Sequence, residues 1–426
     1  MALWFIFYNL FFYPIFFFVY LVISFTNKKA REGFLGKIRS KRLICKIFKD
    51  KNVNSEIFWF HAASLGEFRQ VKPVIENLKK TIPESTILVS FFSPSGYNYA
   101  VSEAIDFKVY MPFDFLWTVH SVLNTIKPKK IIFATYDLWP NLLWLAKWKN
   151  IHTNLFSAKI HNESYKLKFI FRKFYEVLYG SLSSIYATGE IDLINIKKII
   201  TFQDNSLCRV LGNPRFDSLI ETKTGLNSHV ESKIKNRPKR LILGSMHESD
   251  DKITLNIVYE LLRKYSDLKI LHAPHEPEKY IVRDLRNDFK NAGYDAFVVE
   301  DKNISKLPDS RVVILGTVGV LYRLYWFGSL SYIGGGFSSG IHNIMEPAIA
   351  KLPIIFGPNH KKFPEAVELI RLGGAFPIAE ASQFKKSCEL LLNDRIQVEK
   401  SSKASGVLIQ NNLGASKKIV RGLIED

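Results

Sequence analysis

GTVGVLYRLYWFGSLSYIGGGFSSGIHNIMEPAIAKLPIIFGPNH, residues 316–360, carries two glycine-rich turns, each placed where a helix should begin. The apolar run Val312 to Leu315 reads as a buried strand that Gly316 and Gly319 turn into a helix. A second strand, Leu330 to Ile333, stops at Gly334, Gly335 and Gly336. The polar turn of Ser338, Ser339 and Gly340 follows, and the pattern predicts a helix starting near His342 and Asn343 with Glu346 in its first turns. A third strand, Pro353 to Phe356, ends in Gly357 and Pro358. Open α/β sheets bind ligands outside the carboxyl ends of their strands, and helix N-termini there attract anions. A carboxylate beside such a turn serves hydroxyl groups rather than phosphate, because it accepts two hydroxyl hydrogen bonds at once. Glycine turns with a carboxylate at the helix start point to a nucleotide-sugar site.

Working outward, the same alternation runs along the chain. Strands are predicted at Ile57–His61, Thr86–Phe92, Ile131–Ala134, Thr153–Ser157, Ser184–Ala187 and Val210–Leu211, and again at Leu241–Gly244, Ile270–Ala273 and Ala296–Val299 before the three above. Strands separated by helical segments imply parallel sheets covered on both faces. A polar, basic stretch from Glu221 to Arg240 divides the two series. The expected organisation is therefore residues 1–27, 28–220, a linker at 221–240, and 241–426. The length of 426 residues suits two doubly wound, Rossmann-like α/β domains facing a cleft.

Residues Ala2 to Phe25 are almost wholly apolar or aromatic, long enough to cross a bilayer, with Pro14 in the middle. A basic start and a small-residue cleavage site, the marks of a signal peptide, are missing. A dense basic block follows: Lys28, Lys29, Arg31, Lys37, Arg39, Lys41, Arg42, Lys46, Lys49 and Lys51. Such a block places the remaining chain on the cytoplasmic side and attracts an anionic membrane surface. The formal charge of +19 agrees with a polyanionic partner. Because the densest basic block adjoins the apolar segment, no nucleic-acid partner is expected. Cys45, Cys208 and Cys388 are odd in number and far apart, which argues against a disulfide framework.

HAASLGE (61–67), DLWPN (137–141), GNPRFD (212–217), SMHESDD (245–251), GIHNIMEPA (340–348) and FGPNHKKFPE (356–365) follow in that order. With them the chain resembles the bacterial 3-deoxy-D-manno-octulosonic acid (Kdo) transferases of lipopolysaccharide synthesis, the lipid IV-A-specific ones, over nearly its whole length. The resemblance implies a GT-B glycosyltransferase at the inner membrane, its domains on the cytoplasmic face. It would move Kdo with inversion from CMP-Kdo to a lipid A precursor, without a cofactor. Residues 1–27 would be the anchor, 28–220 the acceptor-binding domain and 241–426 the CMP-sugar-binding domain. A UDP-sugar-dependent membrane transferase and a non-catalytic anionic-lipid-binding protein of the same fold are the alternatives.

The resemblance also assigns roles. Glu67 would be the general base, and Arg215, where the family usually has Lys, would stabilise charge on the departing phosphate. Pro274, His275 and Glu276, then Gly319, Val320 and Leu321, then Asn343, Ile344, Met345 and Glu346 would bind CMP, with N–H groups near Asn343 on phosphate and Glu346 on ribose. His275 stands where Arg is common and Glu276 where His is. At Thr135 the family generally carries Glu, so that role has no counterpart in this chain, and Asp137 is expected to cap the helix that starts near Pro140. His247, Glu248, His272, His275 and Glu276 have no metal-site spacing, and no metal is expected.

Overall fold

The structure, a computed structural model, describes residues 2–50, 55–162, 164–200, 208–218, 237–304 and 306–426. Most of the expected linker, 221–236, lies outside the described residues. The chain forms two compact units: one takes the chain up to Ser218 and regains it at Gly414–Asp426, and the other ends at Leu413.

The first unit holds seven strands, β1 (Ile57–Ala62), β2 (Thr86–Phe91), β3 (Phe107–Tyr110), β4 (Lys130–Ala134), β5 (His152–Ala158), β6 (Ser184–Ala187) and β7 (Cys208–Val210). They pair in parallel in the order β3-β2-β1-β4-β5-β6-β7. The order reverses between β1 and β4, which makes the carboxyl ends of those two strands the switch point. Trp59, Ile131 and Phe133 point into the core on one face, while Phe58, Phe60 and Ile132 point into the other. Both faces being buried explains the continuous apolar runs of these strands.

The second unit contains β8 (Arg240–Met246), β9 (Lys269–Pro274), β10 (Ala296–Val299), β11 (Val312–Leu315), β12 (Leu330–Ile333), β13 (Ile354–Phe356) and β14 (Ala375–Pro377). Its order is β10-β11-β9-β8-β12-β13-β14, again all parallel, with the reversal between β8 and β12.

The expected last domain, 241–426, needs correction at its end. Helix Ala415–Glu425 belongs to the first unit, where Ile419, Val420 and Leu423 join the core of Val71, Ile75 and Phe60. Asp217 accepts hydrogen bonds from the N–H groups of Gly414 and Ser416, each at 2.6 Å, and so caps this helix. Tyr186 Oη donates to Asp426 Oδ2 at 2.7 Å, and Arg209 pairs with the same carboxylate.

The N-terminal segment, expected to be an anchor, also docks on the first unit. Ala2–Thr26 is long and apolar enough to cross a membrane by length and composition. Proline removes one N–H and clashes with the preceding turn, and the helix widens to a π turn over Tyr8–Phe12 just before Pro14. One side docks on the first unit: Tyr8 and Tyr13 are 3% and 1% exposed, packed with Phe34, Phe113 and Trp144. The docking is polar as well as apolar. Tyr8 Oη donates to Asp114 Oδ2 at 2.9 Å, Tyr13 Oη accepts from the Asp114 N–H, and Asn9 and Asn141 exchange side-chain hydrogen bonds. The other side leaves Leu3, Leu10, Ile15, Phe18, Val22 and Phe25 exposed.

The basic block up to Lys49 forms helix Lys28–Asp50, and Lys51 lies outside the described residues. It buries Phe34, Ser40 and Ile44 at helical spacing, and Lys37 among them. Lys37 Nζ lies 3.7 Å from the centre of the Phe92 ring and donates to the Phe92 carbonyl. Burial pulls its pKa down to about 7. Lys37 is therefore packed inside the first unit, and the expectation that it faces a membrane is corrected.

Candidate active site

At the switch point of the first sheet, β1 ends in the turn that starts helix Leu65–Thr81. Ser64 is its N-cap, and Glu67 sits in the first turn, where its N–H lies 3.5 Å from Ser64 Oγ. The Glu67 carboxylate turns back over the helix start and accepts the Ala63 N–H at 2.6 Å. A carboxylate at that place complements the helix dipole. Its pKa is nevertheless pushed up to about 7, chiefly by burial and further by the charge of Asp137; the Ala63 hydrogen bond, His61 and Arg215 pull the other way. A carboxyl group poised near neutrality can take and return a proton at working pH.

His61, the one histidine of β1, is fully buried and bridges two strands. Its Nδ1 lies 2.9 Å from Ser90 Oγ on β2, and its Nε2 lies 2.9 Å from Asp137 Oδ2 beyond β4. Trp139 Nε1–H also points at Nε2, at 3.2 Å, so the ring sits where Ser90, Asp137 and Trp139 converge.

This settles Asp137 differently from expectation. It orients His61 and does not cap helix Pro140–Trp148, whose N-cap is Trp139. The capping carboxylate is the wholly buried Asp114, which accepts from the N–H groups of Asn141 and Leu142 at 2.9 and 3.0 Å. Asp114 thus joins the N-terminal helix and the WPN turn in one network. Thr135 is buried at the end of β4 with φ +63°, and its hydroxyl has no hydrogen-bond partner among the described residues. A β-branched residue in the left-handed region is a strained exception.

Arg215 starts the turn of helix after β7, where its N–H donates to Asn213 Oδ1 at 3.0 Å. Its charge reaches Glu67, whose pKa it lowers. Asp217, two residues on, is committed to the last helix through Gly414 and Ser416.

The second unit gathers its expected residues on the carboxyl side of its sheet. The triple glycine is explained by close backbone packing. A Cβ on Gly334 would stand 2.2 Å from the Ser245 carbonyl oxygen, and one on Gly336 would stand 2.5 Å from Gly357 N. Gly319 has φ +87° and open space around it. Buried Asp250 pulls the switch point together: it accepts from Tyr332 Oη at 2.8 Å and from the Gly335 N–H at 2.7 Å.

The expected helix start near His342 and Asn343 is corrected. Residues 341–344 form a loop, and a five-residue helix, Met345–Ile349, follows. Asn343 reaches both ways: its Oδ1 accepts from Met345 N–H at 3.1 Å and its Nδ2 donates to Glu346 Oε1 at 3.0 Å. Ile344 and Met345 are buried, at 2% and 0% exposure, as is Val320 at 3%, so their side chains pack inward. Leu321 opens the short helix Leu321–Leu324. Pro274 ends β9, with His275 and Glu276 exposed just beyond it.

The set of possible metal ligands weighed in the sequence also regroups. His272 lies in the core with Nε2 2.8 Å from Asp251 Oδ1, and Glu248 pairs with Lys252 at 2.8 Å on the surface. His247 and His275 instead meet His342, from the loop after β12. His247 Nε2 and His342 Nε2 are 2.7 Å apart, and the His275 ring stacks against both, with centroids 4.6 and 4.3 Å away. Burial and the neighbouring imidazoles lower the pKa of His275, and that of His342 to about 4. No spacing in the sequence announces this trio, because its members come from three different strand ends. Beside it lies a groove of about 1120 Å³, lined by His247, His275, Asp251, Glu276, Tyr280 and Asp284.

Two all-parallel, doubly wound seven-stranded sheets, each with polar side chains gathered at its switch point, are the GT-B glycosyltransferase architecture. The fold is similar to UDP-GlcNAc 2-epimerase from Neisseria meningitidis bound to UDP-GlcNAc, with a TM-score of 0.62 over 87% of this chain and 100% of that one at 15% identity. Residues 31–218 match the family model described as 3-Deoxy-D-manno-octulosonic-acid transferase (kdotransferase). The chain is 27% identical over 375 residues to the 3-deoxy-D-manno-octulosonic acid transferase of Haemophilus influenzae, covering 85% of each. It is also 27% identical over 352 residues to that of Aquifex aeolicus, covering 81% of this chain and 89% of the relative. The family match over residues 31–218 and the relatives at 27% identity over most of the chain support a Kdo transferase.

Proposed function

We propose that the protein transfers Kdo from CMP-Kdo to a hydroxyl of a lipid A precursor, with Glu67 as general base. The observation that carries this reading is a carboxyl group at the first sheet's switch point with its pKa pushed up to about 7. In the forward step Glu67 takes the acceptor hydroxyl proton. The freed oxygen forms the new glycosidic bond from the face opposite the phosphate, and the sugar–phosphate bond breaks with its electron pair going to CMP. The leaving group departs without protonation, which is why a single base suffices.

Arg215 serves as the cation toward the developing phosphate charge. Asn343 and Glu346, already joined to one another, present a carboxylate to the ribose hydroxyls, while Gly319 and the main chain at Pro274, His275 and Glu276 line the nucleotide. Val320, Leu321, Ile344 and Met345 support these loops. His61, held between Ser90 and Asp137, fixes the carboxylate field around Glu67. The exposed apolar side of the N-terminal helix and the basic residues of Lys28–Asp50 other than Lys37 rest on the inner membrane from its cytoplasmic face.

The test is incubation of detergent-solubilised protein with CMP-Kdo and a tetra-acylated lipid A precursor. Kdo-modified lipid and stoichiometric CMP are expected. Turnover with a UDP-sugar and none with CMP-Kdo would assign the protein to another donor. No turnover with any nucleotide sugar would make it a binding protein.

A further inference from the structure

The three imidazole side chains clustered in the second unit have no role in the steps above, which use only the main chain of His275. We propose that His247, His275 and His342 form a binding site for one borderline divalent transition-metal ion, of the Zn²⁺ class, with a coordination position left open.

The three residues arise at the ends of β8 and β9 and in the loop after β12, around the switch point of the sheet. Each main chain is pinned to a neighbour. The His247 N–H donates to Asp250 Oδ2 at 3.2 Å, the His275 N–H to the Met246 carbonyl at 2.8 Å, and the His342 N–H to the Gly334 carbonyl at 3.0 Å. The points from which the rings project are therefore fixed by the sheet. From them, one ring nitrogen of each residue falls within 4.8 Å of the others.

Without metal, His247 and His342 meet head to head. Their planes differ by 3°, and the 5.0 Å between centroids is the 2.7 Å nitrogen gap plus one ring radius at each end. That is an N–H···N hydrogen bond. Zn–N bonds of ~2.0–2.1 Å in a tetrahedral arrangement put ligand nitrogens ~3.3 Å apart. Metal entry thus asks His247 and His342 to open slightly and the His275 ring to swing inward. His275 is exposed, and to swing inward it gives up its stacking on the other two rings. The shared proton moves to the far nitrogen of its own ring, so two neutral imidazoles both face the ion and no proton need leave. Imidazole donors suit Zn²⁺, Ni²⁺ and Cu²⁺ rather than Mg²⁺ or Ca²⁺, which take oxygen ligands. Three protein nitrogens leave a fourth position, and the adjoining groove of about 1120 Å³, lined by His247 and His275, gives it access to solvent.

The experiment uses the untagged full chain in detergent, stripped with a chelator, and titrated with Zn²⁺ by calorimetry and with Co²⁺ by visible absorption. One equivalent is expected at micromolar affinity or tighter, with the intense visible bands of four-coordinate Co²⁺. His275→Ala, at an exposed position that the fold does not need, and His342→Ala should each weaken binding at least about tenfold. His120→Ala, on a surface helix of the other unit, should leave it unchanged. No stoichiometric binding by the wild-type chain, or equal binding by His275→Ala and His342→Ala, would overturn the assignment. Both readouts are independent of sugar transfer, so failure of one reading does not decide the other.

Discussion

Replacing Glu67 by Gln separates the two things its carboxylate does. The amide oxygen still accepts the Ala63 N–H and so keeps the helix start, but it cannot take a proton. With the pKa of the wild-type residue moved from 4.5 to about 7, about a tenth of the carboxyl groups are ionised at pH 6, about half at pH 7 and about nine tenths at pH 8. Wild-type kcat/KM should therefore rise roughly tenfold from pH 6 to pH 8. Glu67→Gln should lose about 10²–10⁴-fold, the usual worth of a general base, and lose the rise with pH as well.

Stability should move in the opposite sense. A carboxyl whose pKa is raised on folding contributes stability that is complete below its unfolded value and is lost as pH rises through about 7. The loss amounts to at most about 3 kcal/mol by pH 8. The permanently neutral Gln escapes it, so Glu67→Gln should unfold at the same or a higher denaturant concentration than the wild type at pH 8. The assays are radiolabelled Kdo transfer across pH 5.5–8.5 and urea unfolding at pH 5 and pH 8. A variant that keeps near-full turnover removes Glu67 from the chemistry. A variant that is inactive but also markedly less stable at pH 8 shows that the carboxylate is only a structural cap.

Other perturbations test the remaining assignments. Glu346→Ala should weaken CMP binding by about 1–3 kcal/mol, read by calorimetry; unchanged affinity would leave Glu346 as the partner of Asn343 alone. Asp217→Ala releases two backbone donors of the last helix and should destabilise the first unit by about 1–2 kcal/mol, seen as a lower urea midpoint. Deleting residues 2–25 strips Tyr8, Asn9 and Tyr13 from Asp114 and Asn141. It should lower the melting temperature and abolish transfer even on a detergent-dispersed acceptor; an unchanged melting curve would make the segment an anchor and nothing more.

All twelve expected strands overlap observed ones, and Ser184–Ala187, Ala296–Val299, Val312–Leu315 and Leu330–Ile333 coincide with them. All but β7 and β10 lie inside their sheets, and apolar continuity marks such strands in the chain itself. The two strands that went unread, β3 and β14, each lie at one edge of their sheet. Their sequences, FKVY and AFP, are short and half exposed, and pairing with β2 and β13 gives them their form. Glu67 was singled out only as the Glu of HAASLGE, through the resemblance that this short motif carries. Its pKa was not legible there, since burial and the charge of Asp137 come from the fold.

The sequence by itself determined the alternation of strands and helices, the two series of them, the apolar N-terminal run and the motif order that marks the family. Each of these is written within a few consecutive residues, at the scale on which backbone geometry and apolar periodicity act. Tertiary structure alone decided which carboxylate caps which helix: Asp114 and not Asp137 for Pro140–Trp148, and Asp217 for a helix nearly two hundred residues away. It also decided that Lys37 is buried, that the N-terminal helix docks through its tyrosines, and that His342 joins His247 and His275. Those outcomes depend on parallel strands carrying distant loops to one sheet edge, and a buried polar group takes whichever partner that edge brings within reach.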